Sequence, residues 1–119
     1  MTSTDCLFCG IVAGDVPSTV VHETESTFAF RDIHPQAGTH VLVVPREHHR
    51  DALALATEAP RLLDDLVRAA GEIAKSEGID GNGYRLVFNT GADAGQTVFH
   101  AHLHLLGGEP LGLFGRAGG

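Results

Sequence analysis

Near the C-terminal end, the run Thr97-Val98-Phe99-His100-Ala101-His102-Leu103-His104-Leu105-Leu106 alternates imidazoles with apolar side chains, and no other stretch constrains the fold as much. A strand sends successive side chains to opposite faces, so His100, His102 and His104 share one face while Ala101, Leu103 and Leu105 share the other. One side must meet a core and the other must hold three polar rings together. A lone histidine in a strand is ordinary, but three in a row cost polar burial with no packing return, so the row points to chemistry. Two chemistries fit: three ligands of a catalytic zinc, or a nucleophilic imidazole steadied by its neighbours. The preceding loop favours the nucleophile, because Gly91, Gly95 and the Thr97 hydroxyl offer donors of the kind that cradle a phosphate.

The rest of the chain reads as partners for that strand. Val20 to Glu23 and Phe28 to Arg31 form a hairpin around Thr24-Glu25-Ser26, and Thr39 to Val44 is a β-branched strand stopped by Pro45. Asp32 to Gly38 is the loop between them. Thr57 caps a helix with Pro60 in its first turn, and Leu62, Leu63, Leu66, Val67, Ala70, Ile73 and Ala74 then recur at three and four until Gly78. Tyr84 to Asn89 follows as a strand, and Thr90 to Gln96 as a loop. Three strands, a long helix and two strands predict an α+β fold, an antiparallel sheet with the helix on one face.

With 119 residues, 43% of them hydrophobic and 19% charged, the chain is a single globular domain. The apolar runs are too short to cross a bilayer, and Met1 to Asp5 lacks the features of a signal peptide, so a soluble cytoplasmic protein with no membrane partner is expected. Eight basic residues against fifteen acidic give a net charge of −7, which disfavours duplex nucleic acid but leaves a small phosphorylated ligand open. Both cysteines sit in Cys6-Leu7-Phe8-Cys9, a spacing that in a reducing compartment means a metal or a redox pair more than a structural disulfide. Gly112, Gly115, Gly118 and Gly119 suggest a loose tail.

His100-Ala101-His102-Leu103-His104-Leu105-Leu106 resembles the signature of the histidine-triad (HIT) family, His-φ-His-φ-His-φ-φ with φ apolar. The likeness extends to Gly95-Gln96-Thr97-Val98-Phe99, Asn89, Phe30-Arg31-Asp32-Ile33 and Gly38-Thr39-His40-Val41-Leu42-Val43-Val44-Pro45, and it is greatest toward the Hint branch of dimeric purine-nucleotide hydrolases and transferases. It implies a HIT-like fold over residues 6 to 108, with 109 to 119 as a flexible tail: a five-stranded antiparallel sheet, one long and one short helix, and a sheet extended across a homodimer. The activity implied is attack on the α-phosphorus of a purine nucleoside phosphoramidate or adenylylated compound through a nucleotidyl-histidine intermediate, releasing the monophosphate. His102 would be the nucleophile, its other ring nitrogen held by the backbone carbonyl at His100. His104 and Thr97 would donate to the phosphate, and His104 is the nearest candidate acid for the leaving amine. His40 would support the row from behind, and Asn89, Gly95 and Gln96 would complete the phosphate site. Asp32 would bind the ribose, and Leu7, Phe8, Ile11, Phe30 and Ile33 match positions that hold the purine.

Bacterial relatives with this Cys-x-x-Cys complete a structural Zn²⁺ site with counterparts of His48 and His100, so the resemblance implies Cys6, Cys9, His48 and His100 as ligands, with His49 an adjacent rival and no organic cofactor. His22 and His34 read as solvated positions. Thr97 stands for a more usual serine, Phe99 for a frequent tyrosine and Glu109 for a frequent arginine, and the tail lacks tryptophan. These departures leave the leaving group open. A dinucleoside polyphosphate hydrolase of the same family, a zinc-dependent hydrolase and a nucleotide-binding regulatory module are the rival readings.

Overall fold

A computed structural model describes residues 6–113. Its elements are α1 (Leu7–Ala13), β1 (Val20–Glu23), β2 (Thr27–Arg31), β3 (Thr39–Pro45), α2 (Ala52–Glu58), α3 (Pro60–Ser76), β4 (Tyr84–Phe88), a 3-10 turn (Ala92–Ala94) and β5 (Leu103–Gly107). The strands form one antiparallel sheet in the order β1-β2-β3-β5-β4, the α+β architecture expected. The histidine-bearing strand thus lies inside the sheet, between β3 and β4. Its Leu103 and Leu105 face a core with Ala29, Val41 and Val43. Leu66, Ala69, Ala70, Ile73 and Ala74 cover that core from α3, a match to the helical period read from the sequence. On the opposite face a smaller cluster of Phe8, Ile11, Phe28, Phe30, Leu42 and Val44 joins α1 to β2 and β3.

Several elements differ from expectation, three of them by more than a residue at a strand end. Thr57 does not cap the long helix, because it lies in α2, whose cap is Asp51 accepting from Ala54 N–H; α3 starts at Pro60, where a missing N–H costs nothing. The short helix expected is matched by two, α1 and α2. The last strand begins at Leu103 rather than Thr97, and Pro45 is the reason. The ladder pairs Val43 with Leu103, which would set Pro45 opposite Ala101. Proline has no N–H to give. Instead the Pro45 carbonyl accepts from His100 Nε2 at 2.9 Å, and Ala101 N–H turns to the His49 carbonyl at 2.7 Å. The alternation nonetheless holds through the irregular stretch, since Ala101 is buried in the α3-side core.

The tail expected to be loose is tied down over its described part: Glu109 accepts from Gly38 N–H and Arg85 donates to the Gly112 carbonyl. Residues 114–119 lie outside the described residues. At the same end of the sheet, Arg31 grips Glu77 with both terminal guanidinium nitrogens, at 2.7 and 3.0 Å, and locks β2 to the end of α3. Leu66, fully buried beneath α3 and far in sequence from the histidines, reports on the core alone. Leu66→Ala should cost about 2–5 kcal/mol of stability, read from urea unfolding, with the histidine ring resonances unchanged in NMR spectra of the folded protein.

Candidate active site and metal centre

Each imidazole of the row has a different set of partners. His102 Nδ1 donates to the His100 carbonyl at 2.8 Å, so its Nε2 carries the free lone pair. The edge of Phe8 backs the ring, with centroids 4.9 Å apart and planes at 89°. Burial pushes the His102 pKa below its ordinary 6.5, which keeps the ring neutral and nucleophilic.

His104 closes a chain that fixes its own proton. Gln36 N–H donates to His40 Nδ1 at 3.0 Å, leaving neutral His40 with its hydrogen on Nε2. That Nε2 lies 2.9 Å from His104 Nδ1, which must accept, and His104 then holds its hydrogen on Nε2. Among the described residues, His104 Nε2 is a buried polar atom with no hydrogen-bond partner. A buried donor without an acceptor is costly, so it marks a place for a ligand atom. Burial first, then His102 and His40, pull the His104 pKa down to about 4 against a weaker opposing pull from Asp32. Asp32 lies 3.5 Å from His40 Nε2, and its other oxygen accepts from His34 N–H at 2.8 Å.

His100 turns away from the row. Its Nε2–H is committed to Pro45, so the Nδ1 lone pair faces Cys6 Sγ and Cys9 Sγ, each at 3.4 Å. His48 Nδ1 is 3.4 Å from Cys9 Sγ, and the four ligand atoms all lie within 4.8 Å of one another. Bonds of about 2.3 Å to sulfur and 2.0–2.1 Å to nitrogen at tetrahedral angles give S···N edges of about 3.5–3.6 Å, so the spacing suits zinc. The carbonyl on the far nitrogen of His100 is the usual outer support for such a ligand. His49, the rival, is occupied elsewhere: Glu58 and Glu47 take its two nitrogens at 2.8 and 2.9 Å. His100, His102 and His104 do not converge as a ligand set, which removes the geometry that a three-histidine catalytic zinc requires.

Of the residues expected around the nucleotide, Phe8, Ile11 and Phe30 come together in the α1-side cluster beside His102. Ile33 does not join them; it is 86% exposed on its loop. Gln96 is buried but its side chain holds the loop, accepting from Gly91 N–H and donating to the Arg50 and Val98 carbonyls. Gly95 ends the 3-10 turn at φ +91°, where a side chain would be strained, and Thr97 is exposed beside it. Asn89 lies half-buried one residue past β4. The sequence reading missed the Pro45 carbonyl and the Gln36 N–H, backbone groups whose role no residue identity announces.

An α+β sheet with a neutral imidazole row, one ring anchored by main chain and another offering an unmatched donor, defines a histidine-triad protein. The HIT domain model matches residues 13–111. The purine nucleoside phosphoramidase of Escherichia coli K12 is 41% identical over 108 residues, 91% of each chain. A 14 kDa zinc-binding protein of maize is 44% identical, over 88% of this chain and 83% of its own. Among solved structures, a HIT family hydrolase from Clostridium thermocellum superposes with a TM-score of 0.90 at 42% identity, covering 95% of this chain and 98% of that one. The chain belongs to the HIT family, and it is one of that family's hydrolases.

Because His104 binds a proton near pH 6.5 when unfolded but only at about 4 when folded, stability is full above that window and falls as the pH drops through it. Calorimetric melting temperatures should decline between those limits, and His104→Phe should flatten part of the slope.

Proposed function

We propose that the protein hydrolyses purine nucleoside phosphoramidates or related adenylylated compounds at the α-phosphate, with His102 as nucleophile. The observation that carries this reading is the pairing of two oriented nitrogens: a lone pair on His102 Nε2 and an unmatched donor on His104 Nε2, in rings whose centroids lie 5.1 Å apart. His102 Nε2 forms a bond to phosphorus as the phosphorus–amine bond breaks, and the amine leaves with the electron pair. The positive charge that develops on His102 is relieved by its Nδ1–H bond to the His100 carbonyl. His104 Nε2–H, with Thr97, donates to the phosphate oxygens as their charge grows. Burial keeps His104 neutral near pH 7, so the departing amine takes its proton from bulk water rather than from that ring. Water then displaces His102 from phosphorus and releases the monophosphate.

Phe8, Ile11 and Phe30 would form the base pocket, and Asp32 would trade its weak contact with His40 for a ribose hydroxyl. A purine rather than another base is supported by the name of the Escherichia coli relative. Zn²⁺ held by Cys6, Cys9, His48 and His100 would be structural; the maize relative's name supports it, and so does the donor geometry. Pairing of two copies along the sheet would use an outer strand such as β4. Among the described residues no helix is long and apolar enough to cross a membrane.

Incubation with adenosine 5′-phosphoramidate, early acid-free quenching and mass spectrometry should find an adenylyl group on the peptide containing His102. His102→Ala should lose at least about a thousandfold in kcat while still binding AMP, and His104→Ala about a hundredfold to a thousandfold. Turnover surviving in His102→Ala would remove the nucleophile from the mechanism. A dinucleoside polyphosphate substrate turned over faster than the phosphoramidate would move the leaving group to a nucleotide while keeping His102.

A further inference from the structure

Helix α1 does two jobs within seven residues and the cap that precedes it. Cys6, its cap, and Cys9, in its first turn, face His48 and His100, while Phe8 and Ile11 between and beyond them enter the cluster beside His102. A helix this short does not persist without tertiary contacts, so what holds its N-terminal end decides where Phe8 lies. The two cysteines also face the ring of His100, whose carbonyl aims His102. Cys6 and Cys9 are both partly accessible, their sulfurs are within 4.8 Å of each other, and they are not joined by a disulfide. Cys9 N–H donates to Cys6 Sγ at 3.3 Å, which holds the two cysteines on the same turn.

We propose that this cysteine pair is a redox gate on the nucleotide site. It rests on the function argued above and adds regulation to it. Hydrogen peroxide takes two electrons from the pair: one thiol becomes a sulfenic acid with release of one water, and the other sulfur then displaces hydroxide from it to form the disulfide, the hydroxide leaving as a second water with the second thiol's proton. Neither sulfur can then serve as a thiolate ligand, so any bound Zn²⁺ is released, and His48 and His100 lose the partners that tie them to α1. The staple between α1 and the histidine segment opens, Phe8 leaves the ring of His102, and the base pocket loses a wall. A thiol reductant with Zn²⁺ restores it.

The test uses the full chain, reduced and zinc-loaded, before and after peroxide, with AMP affinity measured by calorimetry and amide hydrogen exchange followed over residues 6–13 and 98–102. The expected result is loss of two hydrogens in the Cys6–Cys9 peptide, release of zinc to a chromogenic chelator, faster exchange in both segments, and AMP affinity weaker by about tenfold or more, reversed by reductant and zinc. The double variant Cys6→Ser, Cys9→Ser should bind AMP weakly from the start and show no response to peroxide. A disulfide formed with AMP affinity and exchange unchanged would overturn the gate while leaving the proposed hydrolysis intact. Equal peroxide sensitivity in the double variant would also overturn it, by placing the oxidation elsewhere. Failure of the reduced, loaded protein to bind AMP at all would sink the functional reading, and the gate with it.

Discussion

The site depends on His100, which contributes three separate bonds from one residue. Its Nε2–H closes on the Pro45 carbonyl, its Nδ1 faces the two cysteines, and its own carbonyl receives the Nδ1–H of His102. The first bond satisfies a carbonyl that proline leaves outside the ladder. The second connects the strand to α1. The third fixes which nitrogen of His102 is bare. Because His100 is fully buried and its pKa is held to about 4, chiefly by burial, the ring stays neutral and each nitrogen keeps its assigned role.

The same logic orders the other end of the row. Neutral imidazole has one donor and one acceptor, so a single fixed contact at Gln36 N–H sets the proton positions of both His40 and His104. Placing these rings together costs desolvation, and protonating any of them would add like-charge repulsion to that cost. The sheet meets the cost with a core on its α3 face, where Val41, Val43, Leu103 and Leu105 are almost wholly excluded from water. Stability is thus concentrated on one side of the sheet and polar chemistry on the other.

Much of this was legible because it depends on side-chain period. The alternation from His100 to Leu105 sorts the two faces whether or not the backbone is a formal strand, and the apolar stripe of α3 needs no knowledge of its partner. What was hidden depends on backbone groups or on absent donors. The strand's late start at Leu103 follows from the register of Pro45, which only the paired sheet reveals. The resemblance implied Gln96 at the phosphate site, and no sequence pattern shows that its amide also makes three bonds that shape the loop. His48 and His49 are adjacent in sequence and opposite in fate, since Glu47 and Glu58 capture one and leave the other to face Cys9. Ile33 carries an apolar side chain into solvent, and a hydropathy pattern cannot tell such a residue from a core one.

The two faces also differ in what can move. The α3 side joins a seventeen-residue helix to the central strands, and the Arg31–Glu77 fork fastens its end. The α1 side has a seven-residue helix and six core side chains, with its polar tether at the cysteines. Local opening follows buried apolar contact, so the α1 face is the one that opens at lower free energy. On the proposed function, a nucleotide beside Phe8 and Ile11 would meet the softer wall, while His104 stands on β5 and His102 immediately before it, beside the stiffer wall. This division would let the proposed base site adjust without disturbing the 2.8 Å bond that orients His102.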